Sequence, residues 1–308
     1  MRRKKRSCAR GVPAATSTRS RARSAERCRS GFTPRRFVRN YRRIKPLPQS
    51  SDARLPLSVV IVAKNEAHNL PACLASVQGW VAEIVVALNN TTDDSAAVAE
   101  RFGAAVCELP WQGYRDTKNA ALARASQAWV LALDADEAVS PELHAALENF
   151  FRRADRDTFA GARFPRRVWF INRWITHGDW YPDWSVRLLH RERARWAGDA
   201  FVHEKVACDG PVATLRGDLL HRPYPTIGAH HAKILEYARL FADKQTAAQQ
   251  PWSPVAAVVR PAWRFFRSYI VRGGFLDGFP GFVAATATAY YTFLRYACHY
   301  ERLHRAER

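Results

Sequence analysis

A short apolar run that stops abruptly at acidic residues constrains the fold of this chain more than any other feature. Residues 129–133 are all apolar, and two carboxylates follow them, Asp134 and Asp136. An apolar run this short predicts a buried strand rather than a helix, and the Ser-Pro-Glu sequence at 140–142 predicts a helix start soon afterwards. The carboxylates would then lie at the carboxyl end of a strand, where open α/β sheets bind their ligands.

Two carboxylates one residue apart at a strand end suit two chemical roles. One can ligate a divalent cation, since hard oxygen ligands favour Mg²⁺ or Mn²⁺, and the other can accept a hydrogen bond from a sugar or ribose hydroxyl. The alternative is structural, because Asp134 and Asp136 can also cap the helix that follows. The pair taken alone favours the structural alternative, and the sequence on either side shifts the balance towards chemistry.

Strands and helices alternate about four times between residues 57 and 150. Apolar and β-branched runs predict strands at 57–63, 83–88, 105–109 and 129–133. Amphipathic or Ala-rich segments predict helices near 70–77, 96–102, 115–125 and 143–150. Such alternation predicts a mostly parallel, Rossmann-like α/β sheet with helices on both faces. The polar strand ends at 64–66, 89–94 and 134–137 would then line one crevice.

The phosphate-binding motifs of other α/β classes are absent from the sequence. The first strand is not followed by Gly-x-Gly-x-x-Gly, and no Gly-x-x-x-x-Gly-Lys-Ser/Thr sequence occurs anywhere. The pair His203-Glu204 lacks the second histidine of a His-Glu-x-x-His zinc site. A metal held by carboxylates is therefore the remaining ordinary way for this crevice to bind a diphosphate.

Two regions of different character follow the alternating one. Residues 159–225 hold crowded Trp, Arg and His side chains between short strand-like pieces, which suits a carbohydrate or, equally, an ordinary aromatic core. From residue 226 the sequence is mostly helical, with aromatic and arginine residues interleaved at 260–272 and an apolar stretch at 281–296. This pair predicts either an interfacial membrane-binding surface or a helical cap with arginines on its outer face.

The net charge of +20 is concentrated in one terminal segment. Residues 1–54 hold 18 Lys/Arg and two acids, whereas residues 55–308 hold 30 Lys/Arg and 26 acids. This tail is predicted to be disordered, and the argument for nucleic acid applies to it alone. Six scattered cysteines predict a reducing compartment, and the sequence has no apolar stretch of the roughly 20 residues that a transmembrane helix needs.

Five sequence segments in this order resemble family 2 glycosyltransferases of the GT-A fold, in particular the lipopolysaccharide-core β-1,4-glucosyltransferases of Gram-negative bacteria. The segments are SVVIVAKNE at 58–66, LDADE at 133–137, WYPD at 180–183, VHEK at 202–205 and GGFLDG at 273–278. The resemblance extends over residues 57–303. It implies inverting transfer of a hexose, with UDP-glucose as the favoured nucleotide-sugar donor, to a hydroxyl of a glycolipid or saccharide acceptor.

The resemblance also implies a domain organisation and a location. The basic tail, 1–54, precedes a GT-A domain at 55–225, which divides into a donor half, 55–150, and an acceptor half, 151–225. A helical region at 226–308 then associates with a membrane surface. A glycolipid acceptor such as lipopolysaccharide core implies a cytoplasmic protein, peripheral on the inner face of the plasma membrane. No specific nucleic acid is expected as a partner.

Carried over position by position, the resemblance assigns roles to the strand ends. The expected donor-binding residues are Ala63, Lys64, Asn65, Glu66, Asn89 and Asp134. Asp136, with Asp134 beside it, is the expected ligand of Mg²⁺ or Mn²⁺ on the diphosphate. The attacking hydroxyl needs a general base, for which Glu204 is the first choice and Asp183 the second. His203 would orient that carboxylate or the acceptor.

One position departs from the pattern of the family. The second strand of the family ends in an aspartate that reads the base, and Leu88 stands there in this chain. Asn89 offers an amide, which both donates and accepts hydrogen bonds. Altered donor choice, weaker binding, and a non-catalytic relative that only binds a nucleotide-sugar all stay open. A nucleic-acid-binding protein that acts through its tail is the remaining alternative.

Overall fold

The computed structural model describes residues 54–198 and 204–305. In chain order the strands are β1 (Leu55–Ala63), β2 (Val81–Leu88), β3 (Ala105–Glu108), β4 (Trp129–Asp134), β5 (Glu137–Val139), β6 (Gly161–Phe170), β7 (Arg173–Trp174), β8 (Asp183–His190), β9 (Ala194–Gly198), β10 (Glu204–Cys208), β11 (Val212–Thr214) and β12 (Leu219–His221). The α-helices are α1 (Leu70–Ala75), α2 (Ser95–Arg101), α3 (Tyr114–Leu122), α4 (Pro141–Phe151), α5 (Ile227–Ala247), α6 (Pro254–Phe266) and α7 (Gly278–His304). Short 3₁₀ turns lie at Arg156–Thr158, Gly178–Trp180 and Gly274–Asp277, and a π-helical turn lies at Arg267–Val271.

The central sheet is mixed, with a parallel part followed by a largely antiparallel one. Its strand order is β3-β2-β1-β4-β8-β6-β12-β5, and β7 and β11 add to β6. As the alternating sequence predicts, β1 pairs in parallel with β2 and β4, and β2 with β3. β8 runs antiparallel to both β4 and β6. The predicted α/β class is therefore confirmed. In residues 159–225, β6, β7, β8, β11 and β12 belong to the same sheet, whereas β9 and β10 form a separate antiparallel pair.

The two faces of the parallel part are covered by different helices. Val59 and Ile61 of β1 pack in one buried cluster with Leu74 of α1 and Leu147 of α4. Val60, between them, packs on the other face in a cluster that includes residues of α3. Because successive side chains of a strand point to opposite faces, burial on both sides explains why β1 is a continuous apolar run.

A buried aspartate connects the start of α7 to the segment that precedes β8. The Asp277 carboxylate accepts hydrogen bonds from the Thr176 N–H at 2.9 Å, the Thr176 hydroxyl at 2.9 Å and the His177 N–H at 2.8 Å. Although burial raises the pKa of Asp277, these hydrogen bonds hold it below its ordinary value. The GGFLDG segment therefore ties the C-terminal helices to the rest of the protein.

Gly281 makes this connection possible and provides a test of it. A Cβ atom at position 281 would lie 2.0 Å from the carbonyl oxygen of Gly274, so Gly281→Ala forces two backbone segments apart. We expect a loss of about 1–3 kcal/mol in the free energy of unfolding, measured by urea titration. Gly228→Ala in the first turn of α5 is the matched control, since its Cβ would approach only the Thr226 hydroxyl, at 3.7 Å. Equal stabilities for the two variants would contradict this packing.

His230 of α5 is buried in a cluster of aromatic rings. Its ring centroid lies 5.5 Å from that of Phe170, 5.2 Å from Trp180 and 4.3 Å from Tyr224. Burial lowers the pKa of His230 to about 4, and the positive charges of His231 and Lys233 add to this effect. The imidazole is therefore neutral at physiological pH.

Acidification is expected to destabilise the protein through His230. An unfolded histidine titrates near pH 6.5. Between about pH 6.5 and pH 4, therefore, the histidine is protonated in the unfolded chain but stays neutral in the folded protein. Stability is therefore lost as the pH falls through this window, by at most about 3 kcal/mol. Urea unfolding at pH 7 and pH 4.5 should show a smaller loss for His230→Gln than for the unmodified protein. His231→Gln, at an exposed neighbour, should keep most of the loss, because burial is the larger cause of the lowered pKa of His230.

Three of the four arginines in the 260–272 segment pair with one buried carboxylate, whereas Arg260 is exposed. Arg264, Arg267 and Arg272 lie 3.1, 2.7 and 3.1 Å from the buried carboxylate of Asp179. The helical cap with outward-facing arginines, one of the two alternatives drawn from the sequence, does not describe these three residues. Among the helices of the two described ranges, none combines the length and apolar character that crossing a bilayer requires.

Candidate active site

The carboxyl ends of three parallel strands meet at one edge of the sheet. In the pairing register Ala63 lies opposite Leu88, and Val62 lies opposite Asp134. The backbone N–H of Asn89 donates to the Ala63 carbonyl at 3.2 Å, and its side-chain amide lies 3.4 Å from the same oxygen. The polar strand ends therefore form one crevice, as the sequence predicts.

The turn after β1 is fixed by hydrogen bonds to the loop after β2. The Asn65 side chain accepts the Thr92 N–H at 2.8 Å, and the Glu66 N–H donates to the Ser95 hydroxyl at 2.9 Å. Lys64 and Asn65 are exposed. Burial raises the pKa of Glu66, and the negative charge of Asp136 adds to this rise.

Asp134 is held between two cations. A terminal nitrogen of Arg187 lies 2.6 Å from one oxygen of its carboxylate, and Lys118 Nζ lies 3.3 Å from the other. Burial raises the pKa of Asp134, but the charges of Arg187 and Lys118 outweigh it and hold the pKa well below its usual range. Asp134 is therefore an anion with a fixed orientation.

A buried glutamate organises these charges. The side chain of Glu137 is fully buried and lies 2.7 Å from Arg187 and 3.3 Å from Arg166, and it also accepts the Asp134 N–H at 2.9 Å. Arg166 in turn donates through two nitrogens to one oxygen of Asp183, at 2.9 and 2.7 Å. A chain of alternating charges thus crosses the site, in the order Asp134, Arg187, Glu137, Arg166, Asp183.

Asp136 faces a different partner. Its carboxylate lies 3.2 Å from Nε2 of His221, and the two side chains keep 24% and 13% of their surface exposed. Burial raises the pKa of Asp136, but the hydrogen bond and charge of His221 bring it below the ordinary value. The carboxylate is a hard oxygen ligand that suits Mg²⁺ or Mn²⁺, and the imidazole beside it offers an additional nitrogen ligand.

The pair fits the divalent cation that the sequence implies, provided that a substrate completes the site. In the part of the chain that the structure describes, no group of three or more His, Cys, Asp or Glu side chains is arranged to hold a metal ion. Since these cations take six or more ligands, most would have to come from water and from a bound anion.

The structural alternative for the Asp-x-Asp pair is not supported. The residue that caps α4 is Ser140, whose hydroxyl accepts the Leu143 N–H at 3.1 Å. Asp134 and Asp136 instead contact Arg187, Lys118 and His221. Neither carboxylate therefore serves as the cap of this helix.

The structure describes the side chain of one predicted general base, Asp183, but not that of the other, Glu204. Asp183 begins β8 and contacts Arg166, as described above. The backbone of Glu204 begins β10 opposite Gly198, but its side chain, together with all of His203, lies outside the described residues. The choice between Glu204 and Asp183 stays a prediction.

Several residues of the site, among them Arg187, His221 and Lys118, have no role in the sequence-based assignment. Arg187 and His221 are charged or titratable residues within short apolar strands, the same signal that marks Asp134 at the end of β4. That signal can therefore find them, although not their partners. Lys118 lies on α3 and carries no comparable signal.

The comparisons with known proteins agree with this arrangement. The family model for Glycosyl transferase family 2 matches residues 58–208, a range that contains most of β1, all of β4 and the Asp-x-Asp pair. The lipopolysaccharide core biosynthesis glycosyltransferase LpsC of Rhizobium meliloti (strain 1021) is 31% identical over 255 residues, covering 81% of this chain and 93% of LpsC. The protein is thus an enzyme of the glycosyltransferase class. The chain belongs to glycosyl transferase family 2.

Two more distant similarities complete the comparison. An uncharacterized glycosyltransferase of Rickettsia felis is 28% identical over 255 residues, covering 78% of this chain and 88% of that protein. Among solved structures, S. aureus TarS 1–349 in complex with UDP-GlcNAc is 12% identical, covers 82% of this chain and 93% of that chain, and has a TM-score of 0.40. A similarity of that size transfers no ligand to this protein.

Proposed function

We propose that the protein transfers a hexose, with glucose from UDP-glucose as the first choice, to a hydroxyl of a cell-envelope glycolipid such as lipopolysaccharide core. The observation that carries this proposal is the Asp134–Asp136 pair at the carboxyl edge of the sheet, with Asp136 beside His221. The name of the relative LpsC supports the acceptor class. The same proposal places the enzyme on the cytoplasmic side, peripheral at the inner face of the plasma membrane.

The donor would be held through its diphosphate and its sugar. Asp136 and His221 would hold Mg²⁺ or Mn²⁺, which when bound stabilises a departing diphosphate by several kcal/mol. We assign no metal contact to Asp134, because two cations already occupy its oxygens. Instead, its fixed anionic carboxylate would accept a hydrogen bond from a hydroxyl of the ribose or the donor sugar.

Base recognition differs from the pattern that the resemblance implies. The Leu88 side chain is buried and packs in the core cluster, so no carboxylate reaches the base from this position. We assign the contact to the amide of Asn89 and to the exposed turn at Lys64 and Asn65. Amide groups can both donate and accept, so they suit a base edge that does the same.

Transfer with inversion requires one bond to form as another breaks. The acceptor oxygen attacks the anomeric carbon from the face opposite the diphosphate, the bond to the diphosphate breaks, and the hydroxyl proton passes to a carboxylate. We place Glu204 in that role, with His203 orienting it. Asp183 ranks second, because Arg166 already holds one of its oxygens through two hydrogen bonds.

The experiment that tests the proposal is a donor panel. The purified protein is incubated with UDP-, GDP- and dTDP-sugars, with and without Mn²⁺, and nucleotide release is followed with and without a lipopolysaccharide-core acceptor. Metal-dependent release of one nucleotide, accelerated by the acceptor, is the expected result. If calorimetry detects no binding of any nucleotide-sugar, the proposal is wrong.

Two other functions have specific observations in their favour. Leu88 favours a relative that binds a nucleotide-sugar without turnover, which the panel would reveal as metal-dependent binding with no release in the presence of acceptor. The basic tail favours nucleic acid. That function requires residues 1–54, whereas the transferase activity should survive their removal.

A further inference from the structure

Exposed apolar side chains gather on α6, on the turns that follow it and at the start of α7. We call this surface the α6–α7 face and define it by Val258, Trp263, Phe266, Val271, Leu276 and Phe279. Val258 and Phe279 keep 70% and 71% of their surface exposed. Folded monomers rarely leave large apolar side chains exposed together in this way, so we expect this face to bind a partner.

Aromatic contacts occur both within α6 and between α6 and α7. The ring of Trp263 lies 5.8 Å from Phe266 on α6. Phe265 reaches Phe282 of α7 at 5.8 Å, and Phe282 stacks on Phe279 at 6.2 Å. The Phe265–Phe282 contact therefore joins α6 to the start of α7, where Phe279 is exposed.

The charge around the face has one sign. Between residues 251 and 300 the sequence contains five arginines and a single acid, Asp277, whose side chain is fully buried. Arg260 and Arg272 are exposed beside the apolar residues. Three arginines meet the single carboxylate of Asp179, so that cluster is also positive in sum. A second copy of the chain would place like charges against each other, whereas an anionic surface would attract them.

We propose that the α6–α7 face docks on the surface of a bilayer that contains anionic phospholipid, with Val258, Trp263 and Phe279 inserted at headgroup depth. Arginines beside apolar and aromatic side chains are the chemistry of interfacial membrane binding. This inference names the surface and the lipid class for the proposed membrane location. It stands on exposure and charge, and it does not depend on the catalytic roles proposed above.

The docking would also fix the site relative to the membrane. The Asp179 N–H donates a hydrogen bond to the Ser268 hydroxyl at 3.1 Å. The ring N–H of Trp180, in the same turn, donates to the Thr288 hydroxyl at 3.0 Å. Asp183, at the end of the charge chain, follows a few residues later. These two hydrogen bonds therefore connect the α6–α7 face to the proposed acceptor side of the crevice.

Vesicle flotation of the full-length protein tests the proposal. Vesicles of phosphatidylcholine alone are compared with vesicles that contain about 30% phosphatidylglycerol, at low salt and at about 0.5 M NaCl. High salt suppresses binding by the basic tail, so the apolar contribution can be measured there. The test variant is Val258→Ser with Phe279→Ser. The control is Trp111→Ser with Leu303→Ser, two residues that are 40% and 44% exposed elsewhere.

We expect the anionic vesicles to float the protein, and the test variant to lower its partition coefficient about tenfold at high salt, while the control lowers it less than about twofold. Nucleotide release measured without vesicles should be the same for both variants, so failure of the docking and failure of the transferase are distinguishable. Equal partition of the two variants at high salt would overturn the inference. So would a dimer, seen by light scattering, that only the test variant loses.

Discussion

Asp136→Asn is expected to reduce metal-dependent nucleotide release by about 100-fold or more while leaving the protein folded. The amide keeps the shape of the side chain but removes the negative charge that faces His221 at 3.2 Å. A neutral amide is a weaker ligand for a hard divalent cation than a carboxylate. Asp209→Asn, at an exposed position, is the matched control and should release nucleotide at the unmodified rate.

A substitution of His221, the partner of Asp136, distinguishes the loss of a metal ligand from a general loss of charge. His221→Gln should raise the Mn²⁺ concentration for half-maximal release roughly tenfold or more, with a smaller effect on the rate at saturating metal. Titration of Mn²⁺ against nucleotide release measures this directly. If Asp136→Asn keeps metal-dependent release, or if His221→Gln leaves the Mn²⁺ titration unchanged, the pair does not hold the cation.

Arg187→Met is expected to destabilise the folded protein by about 3–5 kcal/mol. Arg187 is buried, and its replacement leaves the fully buried carboxylate of Glu137 with Arg166, at 3.3 Å, as its remaining cationic partner among the described residues. A buried charge that loses its partner retains its full desolvation penalty. Urea unfolding measures the loss, and the exposed Arg195→Met on β9 should change the free energy of unfolding by no more than about 0.5 kcal/mol.

A double variant distinguishes charge from packing. In Arg187→Met with Glu137→Gln the buried negative charge is also removed, so part of the lost stability should return. The double variant could instead be less stable than the sum of the two single changes predicts. That result would show that packing, and not charge, dominates at this site. Asp134 should lose orientation in either case, since Arg187 is the nearer of its two cations.

The parallel part of the fold could be predicted because its signals are local. β1 and β4 are buried on both faces, which gives continuous apolar runs, and the polar residues follow where those runs end. The start of α4 could be predicted for the same reason, since Ser140 and Pro141 specify it without help from distant residues. The crevice then follows from parallel pairing alone.

The rest of the site depends on contacts between residues far apart in the sequence. Arg187 lies 53 positions from Asp134 and 50 from Glu137, and nothing in the local pattern of β8 states that it runs antiparallel to β4. Likewise His221 reaches Asp136 because β12 pairs with β5, a three-residue strand that the sequence pattern does not reveal. The orientation of the arginines near Asp179 required the structure for the same reason.

The chain of alternating charges has a consequence for exchanging parts between relatives. Glu137 lies in residues 55–150, the proposed donor half, whereas Arg166 and Arg187 lie on β6 and β8, in the proposed acceptor half. A segment from residues 55–150 transplanted without Arg166 and Arg187 would leave the carboxylate of Glu137 without these cationic partners. Chimeras designed to change sugar preference should therefore move these three residues as one unit, even when the chosen boundary falls between them.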